Sequence, residues 1–208
     1  GTGTVDVTVT TPAGTSPAGS QDRFSYQAPA PSVGSLNPTS GPQGGGTQVT
    51  ITGSGFTGAT AVNFGPNAAS GFTVNSDTQV TATSPAGTGT VDVTVTTPAG
   101  TSPAGSQDQY VYRPVPQVTG WTCAIDPNHT GCTNVNGGDT IAIAGSGFTG
   151  ATAVNFGSNP AISFTVDSDT QITAVTPGRG TGPGIADITV TTPGGTSPTN
   201  ANDQFSWD

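Results

Sequence analysis

Apolar and polar residues alternate along several short stretches of the chain. Every second residue of Thr4–Thr10 is valine, and the same alternation recurs at Thr90–Thr96 and around Ile188. Shorter alternating runs occur at Gln48–Thr52 and Thr140–Ala144. A period of two places alternate side chains on opposite faces, as in a strand with one buried and one solvated face. We therefore predict a β-strand at each of these runs.

Two pairs of alternating runs are joined by short polar segments. Apolar residues at 72–74 and 80–82 flank Asn75-Ser-Asp-Thr, and those at 164–166 and 172–174 flank Asp167-Ser-Asp-Thr. A polar tight turn between two such runs predicts a β-hairpin. Short aromatic runs follow at Phe24/Tyr26, Tyr110/Tyr112 and Phe205/Trp207. About seven short strands within roughly 85 residues are typical of an immunoglobulin-like β-sandwich.

The chain also repeats itself over the length of a small domain. Gly1–Asp22 is identical to Gly87–Asp108, and Gly53–Gly65 is identical to Gly145–Gly157. The spacings, 86 and 92 residues, exceed the roughly 20–50 residues of a solenoid or propeller repeat. Each copy should therefore be a self-contained domain. We predict the C-terminal half of a domain at 1–28 (the first segment), a complete domain at 29–113 (the middle segment) and another at 114–208 (the last segment).

Short proline-rich joints connect these segments. They are Ala28-Pro-Ala-Pro31 and Arg113-Pro-Val-Pro116. Proline fixes its own φ and restricts the residue before it, so these joints should be extended and stiff. We therefore predict a rod-like array of tandem β-sandwiches, the first one partial.

Composition supports the β assignment and narrows the partners. The chain has 32 Gly, 18 Pro and no Lys, Glu or Met, while β-branched residues abound. Its 12 Asp outweigh three Arg, for a net charge of −9. Nucleic-acid binding and anionic membrane surfaces are disfavoured because both need clustered cations. No apolar run approaches the roughly 20 residues of a spanning helix, so direct membrane insertion is not expected.

Several strings, taken in order, resemble the IPT/TIG family of immunoglobulin-like domains. They are Asn37-Pro-Thr-Ser-Gly-Pro, VTITGSGF at Val49–Phe56, VNFG at Val62–Gly65, SDTQVTATSP at Ser76–Pro85 and VDVTVTTPAGTS at Val91–Ser102. The last segment carries the same order, and residues 1–28 match only the second half of such a domain. The resemblance implies the fold and an extracellular setting, in bacterial surface arrays above all, more than an activity.

The last segment departs from this pattern at Trp121–Cys132. Cys123 and Cys132 are the only cysteines, and paired cysteines in a secreted β-domain predict a disulfide. Zinc binding by these cysteines with Asp126 and His129 is the weaker alternative, because the spacing is not a usual zinc pattern. Trp121, Asp126 and His129 could instead contact a glycan or protein partner, and an end-capping or inter-domain contact explains them equally well.

Few residues are suited to catalysis. His129 is the sole histidine, and an exposed polar loop explains it better than a triad with Asp126. Asp167 and Asp169 resemble part of a calcium site, yet turn formation is the simpler interpretation. Asn128-His-Thr130 matches an N-glycosylation acceptor, which we interpret as accidental in a bacterial protein. We therefore predict no enzyme activity, cofactor or metal site.

Two functions follow from this sequence. The first is a structural repeat segment of an extracellular fibre, stalk or filament, whose half-domain is completed by neighbouring sequence or by another subunit. Its partners would be further repeats or other copies of the chain. The alternative is an adhesin or carbohydrate-binding accessory module acting through residues 121–132 on a cell-surface glycan.

Overall fold

The computed structural model describes residues 3–124, 132, 134–180 and 184–207. These residues form strands and turns, which confirms the all-β class. No helix among them is long and apolar enough to cross a membrane. The chain divides into two compact units. One comprises Gly1–Asn37, Gln48–Ser84 and Asp92–Gln109, and the other Pro38–Thr47, Pro85–Val91 and Tyr110–Asp208.

The first segment forms four short strands. They are β1 (Gly3–Asp6), β2 (Thr10–Thr11), β3 (Gly14–Thr15) and β4 (Arg23–Tyr26). β1 pairs antiparallel with β4, and β2 pairs antiparallel with β3. All four strands are exposed along their whole length. This segment therefore has ordered strand pairs without a buried core of its own.

The middle segment contains ten strands. They are β5 (Ser32–Asn37), β6 (Ser40–Pro42), β7 (Gln48–Ser54), β8 (Ala61–Phe64), β9 (Asn67–Ala68), β10 (Gly71–Ser76), β11 (Gln79–Thr83), β12 (Gly89–Thr97), β13 (Gly100–Thr101) and β14 (Gln109–Arg113). One sheet has the order β10-β11-β7-β5. Elsewhere β12 pairs with β8 and with β13, β8 pairs with β9, and β6 runs parallel to β14.

A comparison of β12 with β1 explains why the predicted strand Thr4–Thr10 is too long. β12 runs for nine residues, and its residues 93–96 pair with β8. The identical residues 7–10 have no strand equivalent to β8 among the described residues, and β1 ends at Asp6. A strand needs a neighbouring strand to satisfy its backbone groups, so the same residues form a shorter ladder here.

The described residues of the last segment form nine strands. They are β15 (Gln117–Cys123), β16 (Thr140–Ser146), β17 (Ala153–Phe156), β18 (Asn159–Pro160), β19 (Ser163–Ser168), β20 (Gln171–Val175), β21 (Ile185–Thr192), β22 (Gly195–Thr196) and β23 (Gln204–Ser206). One sheet has the order β15-β16-β20-β19, and the other β18-β17-β21-β22 with β23 also on β21. Buried side chains from both sheets form one core cluster, which is the arrangement of a β-sandwich.

Both predicted hairpins are confirmed, as β10–β11 and β19–β20. The repeated Gly-Ser-Gly-Phe string has a steric reason. A Cβ at Gly53 would collide with the Ser32 carbonyl oxygen and the Phe56 ring, and a Cβ at Gly145 would meet the Gln117 carbonyl oxygen and the Phe148 ring. Glycine lets the two backbones approach at these points. The segment limits at 28/29 and 113/114 stay predictions.

Candidate functional site

One face of the first segment is apolar and open to solvent. Val5, Val7, Val9, Phe24 and Tyr26 are 45%, 53%, 65%, 53% and 53% exposed, and we call these five side chains the apolar face. Val5 lies opposite Phe24 in the β1–β4 pair, and the ring centroids of Phe24 and Tyr26 are 5.0 Å apart in an edge-to-face contact. No described residue covers this face.

Four of the five counterparts of the apolar face are buried in the middle segment, and the fifth, Val91, is partly buried. Val93, Val95 and Tyr110 are 0% exposed, and Tyr112 is 3% exposed. Burial raises the pKa of Tyr112 to about 12, with a further contribution from Tyr110. These side chains therefore occupy a dry interior in the one copy and water in the other, although the valines belong to an identical string.

The last segment shows what covers this kind of face. Ile188, Val190 and Phe205 are fully buried in a cluster that includes Ile141 and Ile143 of the opposing sheet. Phe205 also makes edge contacts with neighbouring aromatic rings in that cluster. The face is thus the inner face of one sheet of a sandwich, and its normal cover is the sheet formed by the first strands of the same domain.

The first segment nevertheless keeps the local hydrogen bonds of its buried copy. The Val9 N–H donates to Ser16 Oγ at 3.0 Å, and the Val95 N–H donates to Ser102 Oγ at 3.0 Å. The Val7 N–H donates to the Asp22 carbonyl at 2.7 Å, and the Val93 N–H donates to the Asp108 carbonyl at 2.8 Å. The hydroxyls of Thr10 and Thr15 lie 2.9 Å apart, as do those of Thr96 and Thr101. The string therefore sets its own turns, with or without a covering sheet.

The joint after the first segment lies against a loop of the middle segment. A cleft of about 630 Å³ is lined by Ala28–Ala30, Ser54, Gly55, Thr57, Gly58, Asp77 and residues 97–99. A Cβ on Gly55 would lie 3.3 Å from the Cα of Pro31, and the backbone of this loop therefore packs directly on the joint.

Asp77 fixes that loop. Its carboxylate accepts the Thr57 hydroxyl at 2.8 Å and the N–H groups of Thr57 and Gly55, each at 3.3 Å. The Thr57 hydroxyl, followed by the two N–H groups, holds the pKa of Asp77 below its usual value. The charged carboxylate thus braces the loop on which the joint rests.

The second joint repeats this arrangement. A cleft of about 370 Å³ is lined by Arg113–Val115, Gln117, Ser146, Gly147, Thr149 and Asp169. Asp169 accepts the Thr149 hydroxyl at 2.7 Å and the N–H groups of Thr149 and Gly147, each at 3.2 Å. The same hydroxyl and N–H groups lower the pKa of Asp169, and Arg113 adds a smaller effect.

The sequence identified Asp169 only as a turn former or a calcium-ligand fragment. In the structure Asp167 accepts the Thr173 hydroxyl at 2.7 Å and Asp169 binds its loop, so both carboxylates are used within the fold. Among the described residues no group of three or more His, Cys, Asp or Glu side chains is placed to hold a metal ion. The missed signal was the Thr–Asp spacing of 20 residues, which recurs in both segments.

The structure joins Cys123 and Cys132 by a disulfide, with their Cα atoms 5.7 Å apart. Trp121 is 7% exposed; its indole N–H donates to the Gln204 carbonyl at 2.9 Å, and its ring lies 5.0 Å from that of Phe205. Its role as a partner contact stays a prediction, and its burial weighs against that role. The other two candidates, Asp126 and His129, lie outside the described residues, as does the Asn128–Thr130 acceptor.

Two buried aspartates carry raised pKa values. Burial raises the pKa of Asp108, opposed by the N–H of Gly105, and the nearby charge of Asp92 raises it further. Burial likewise raises the pKa of Asp203, which lies near Asp187. Asp108 accepts the N–H of Gly105 at 3.0 Å, so its role is to close a turn.

Comparison with known proteins identifies the repeats. The family described as "IPT/TIG domain" matches residues 31–112 and 125–206. No curated protein matches the chain.

The chain is similar to several solved structures. The extracellular region of plexin A4 has a TM-score of 0.53 at 18% identity, over 88% of this chain and 18% of that chain. The proteins named SGBP-B from Bacteroides uniformis and Bacteroides ovatus have TM-scores of 0.34 and 0.35 at 19% and 18% identity. They are covered over 49% and 52% of their length, and this chain over 86% and 99%. The chain thus spans about half of each SGBP-B protein and less than a fifth of the plexin region. At these identities the likeness is one of fold alone.

Proposed function

The chain belongs to the IPT/TIG domain family, and we propose that it is a non-catalytic structural segment of an extracellular surface fibre or stalk. Its domains would act as spacers whose joints limit bending. One observation carries the proposal, namely that both proline joints pack in the same way against the domain that follows them.

Each joint touches two elements of the following domain. On one side lies the loop held by aspartate, where Gly55 meets Pro31 and Gly147 meets Pro116, each with a prospective Cβ–Cα distance of 3.3 Å. On the other side lies a turn, where a Cβ on Gly100 would lie 3.4 Å from the Ala30 side chain. The matching turn of the last segment brings Gly194 against the Pro114 carbonyl. A joint held on two sides has few conformations left.

Proline adds to this restriction. Its fixed φ removes conformers that a Gly/Ser linker would sample, and less entropy is lost when the joint packs. A chain whose joints are both fixed in φ and packed resists bending at each of them, and this is the property that a stalk or fibre requires.

The polar groups of the chain support a non-catalytic role. Asp77 and Asp169 hold loops, and Asp108 closes a turn. The Arg23 Nε atom lies 3.8 Å from Asp6 Oδ1, so these two side chains pair with each other. The disulfide favours an oxidising, extracellular compartment. Neighbouring domains and other copies of the chain are the partners that we propose. Within residues 121–132, Trp121 is described and is buried, which weighs against the glycan-binding alternative.

The test is small-angle X-ray scattering on the native chain and on Pro114→Gly/Pro116→Gly. We expect a narrow distribution of molecular lengths for the native chain and a broader one for the variant. Pro12→Gly/Pro17→Gly serves as the matched control, because it changes two prolines outside the joints. A native chain as flexible as the joint variant would contradict the proposal.

A further inference from the structure

The cleft at the Ala28–Pro31 joint, here called the first cleft, is lined by one carboxylate, that of Asp77. None of the described residues that line it is basic. We infer that the first cleft binds the side chain of an arginine in a partner protein, with the guanidinium group placed against Asp77. This goes beyond the proposed structural role, because it assigns a binding site to the middle segment.

The cleft at the Arg113–Pro116 joint, the second cleft, shows which group fits a site of this kind. Its lining includes both Arg113 and Asp169. The Thr149 hydroxyl lowers the pKa of Asp169 most strongly, and the Arg113 charge lowers it further. An opposite charge nearby favours the ionised carboxylate in this way. The chain therefore places an arginine of its own near the aspartate of the second cleft.

The first cleft has alanine in the place of this arginine. Ala28 is the first residue of its joint, as Arg113 is of the other. The last proline of each joint lies at the same distance, 3.3 Å, from a Cβ placed on a glycine of the following loop, so the two joints correspond residue by residue. The first cleft is also larger, at about 630 Å³ against about 370 Å³. It therefore has room for the side chain that the second cleft contains.

Asp77 can accept a further hydrogen bond. Its side chain is exposed, and its carboxylate accepts the Thr57 hydroxyl at 2.8 Å and two longer N–H bonds at 3.3 Å. Because an ionised carboxylate offers about four lone-pair sites, one is left. The Thr57 hydroxyl and the two N–H groups lower the pKa of Asp77, so its charge is present at neutral pH. A guanidinium group carries five N–H donors in a planar fork and can fill the remaining site.

The rest of the lining matches the aliphatic part of an arginine side chain. Ala28, Pro29, Pro98 and Ala99 contribute apolar groups to the first cleft. Arginine packs its methylene groups on such a surface while its charged end reaches a polar group. The net charge of −9 also attracts a basic partner from a distance. Because exposed ion pairs contribute little, a single arginine should bind weakly, with a Kd in the millimolar range.

A nuclear magnetic resonance titration of the full chain with an end-blocked peptide that contains one arginine tests the inference. The amide signals of Gly55 and Thr57 should shift, because both N–H groups donate to Asp77. The same peptide with glutamine in place of arginine is the control, and it should bind at least about threefold more weakly. Equal binding of the two peptides would overturn the inference.

Ala28→Arg separates binding from the structure of the loop. This substitution supplies the cation from within the chain and leaves Asp77 and its hydrogen-bond donors in place. We expect the arginine peptide to bind the variant at least about threefold more weakly than it binds the native chain. Native affinity in Ala28→Arg would show that the peptide binds elsewhere, and the inference would be wrong.

Arg113→Ala is the reciprocal change. It removes the arginine of the second cleft and should create a second site, seen as larger peptide-dependent shifts of the Gly147 and Thr149 amides than in the native chain. The N–H groups of these two residues donate to Asp169. Shifts that stay as small as in the native chain would contradict the inference. Neither substitution alters a joint proline, so these results are independent of the scattering test.

Discussion

Residues 1–22 and residues 87–108 are the same sequence in two environments. In both copies the turn hydrogen bonds are kept, including the bond from the valine N–H to Ser16 or Ser102, each at 3.0 Å. The burial differs completely, since Val9 is 65% exposed and Val95 is 0% exposed. Strand length differs as well, because β1 stops at Asp6 and β12 continues to Thr97. Local sequence thus determines the turns, whereas the covering sheet determines burial and the neighbouring strand β8 determines strand length.

This contrast makes the chain its own control. A substitution at one position of the string can be made at the other, with the same neighbours in sequence. Any difference in stability then measures the environment and not the residue.

The largest difference should come from a charge on the apolar side of the string. Val95→Asp buries a carboxylate without a partner and should destabilise the middle segment by about 3–5 kcal/mol. Val9→Asp places the same group in water and should change stability by less than about 0.5 kcal/mol. Urea unfolding followed by circular dichroism measures both. Equal losses would mean that residues 1–28 have a cover of their own.

A smaller difference is expected at the serine of each turn. Ser102 is 4% exposed and accepts the Val95 N–H, so Ser102→Ala leaves a buried donor without this acceptor and should cost about 1–3 kcal/mol. Ser16→Ala should cost less than about 0.5 kcal/mol, because water can replace the hydroxyl. The same unfolding experiment applies, and a large loss for Ser16→Ala would contradict the account.

Asp108, which accepts the Gly105 N–H and closes a turn, should make the stability of the middle segment depend on pH. Because burial raises the pKa of Asp108, its proton is held more tightly in the folded state than in the unfolded chain. The stabilisation is complete below the unfolded pKa of about 3.9 and is lost as the pH rises through the folded pKa.

Asp108→Asn should therefore stabilise the middle segment at pH 7 by less than about 1 kcal/mol, with the gain vanishing toward pH 4. Asp22→Asn is the same change at the matching position of the identical string and serves as the comparison. Thermal unfolding at the two pH values measures the effect. A loss of stability at pH 7 in Asp108→Asn would contradict it.

The smallest difference is expected on the outward side of the string. The hydroxyls of Thr10 and Thr15 lie 2.9 Å apart, and those of Thr96 and Thr101 also lie 2.9 Å apart. Thr10→Val and Thr96→Val should each change stability by less than about 0.5 kcal/mol, because both sites face solvent. A clear difference between them would show that the covering sheet also acts on the outer face.

The sequence predicts most of the strands because alternation reports directly on a half-buried sheet. Gln48–Thr52 lies within β7, and both Ser-Asp-Thr turns lie in hairpins. The strand predicted over Thr4–Thr10 was too long because alternation cannot show whether a neighbouring strand is present. Periodicity describes a residue's own strand, and pairing depends on residues elsewhere.

The braced joints were harder to predict. Asp77 and Asp169 looked like turn formers, and their bonds to Thr57 and Thr149 join positions that only the fold brings together. Trp121 was a candidate partner contact in the sequence, yet its ring packs on that of Phe205, far along the chain. Local composition indicates a turn or a loop, and only tertiary structure shows which side chains it holds.

Amide hydrogen exchange on the native chain tests the central contrast most directly. Proteolytic peptides that extend into Arg23–Tyr26 or into Gln109–Tyr112 distinguish the two identical strings by mass. We expect the amides of Thr8 and Thr10 to exchange rapidly and those of Thr94 and Thr96, which pair with β8, to exchange at least about 1,000-fold more slowly. Equal protection of these amides would contradict the claim that the first copy has no strand equivalent to β8 among the described residues.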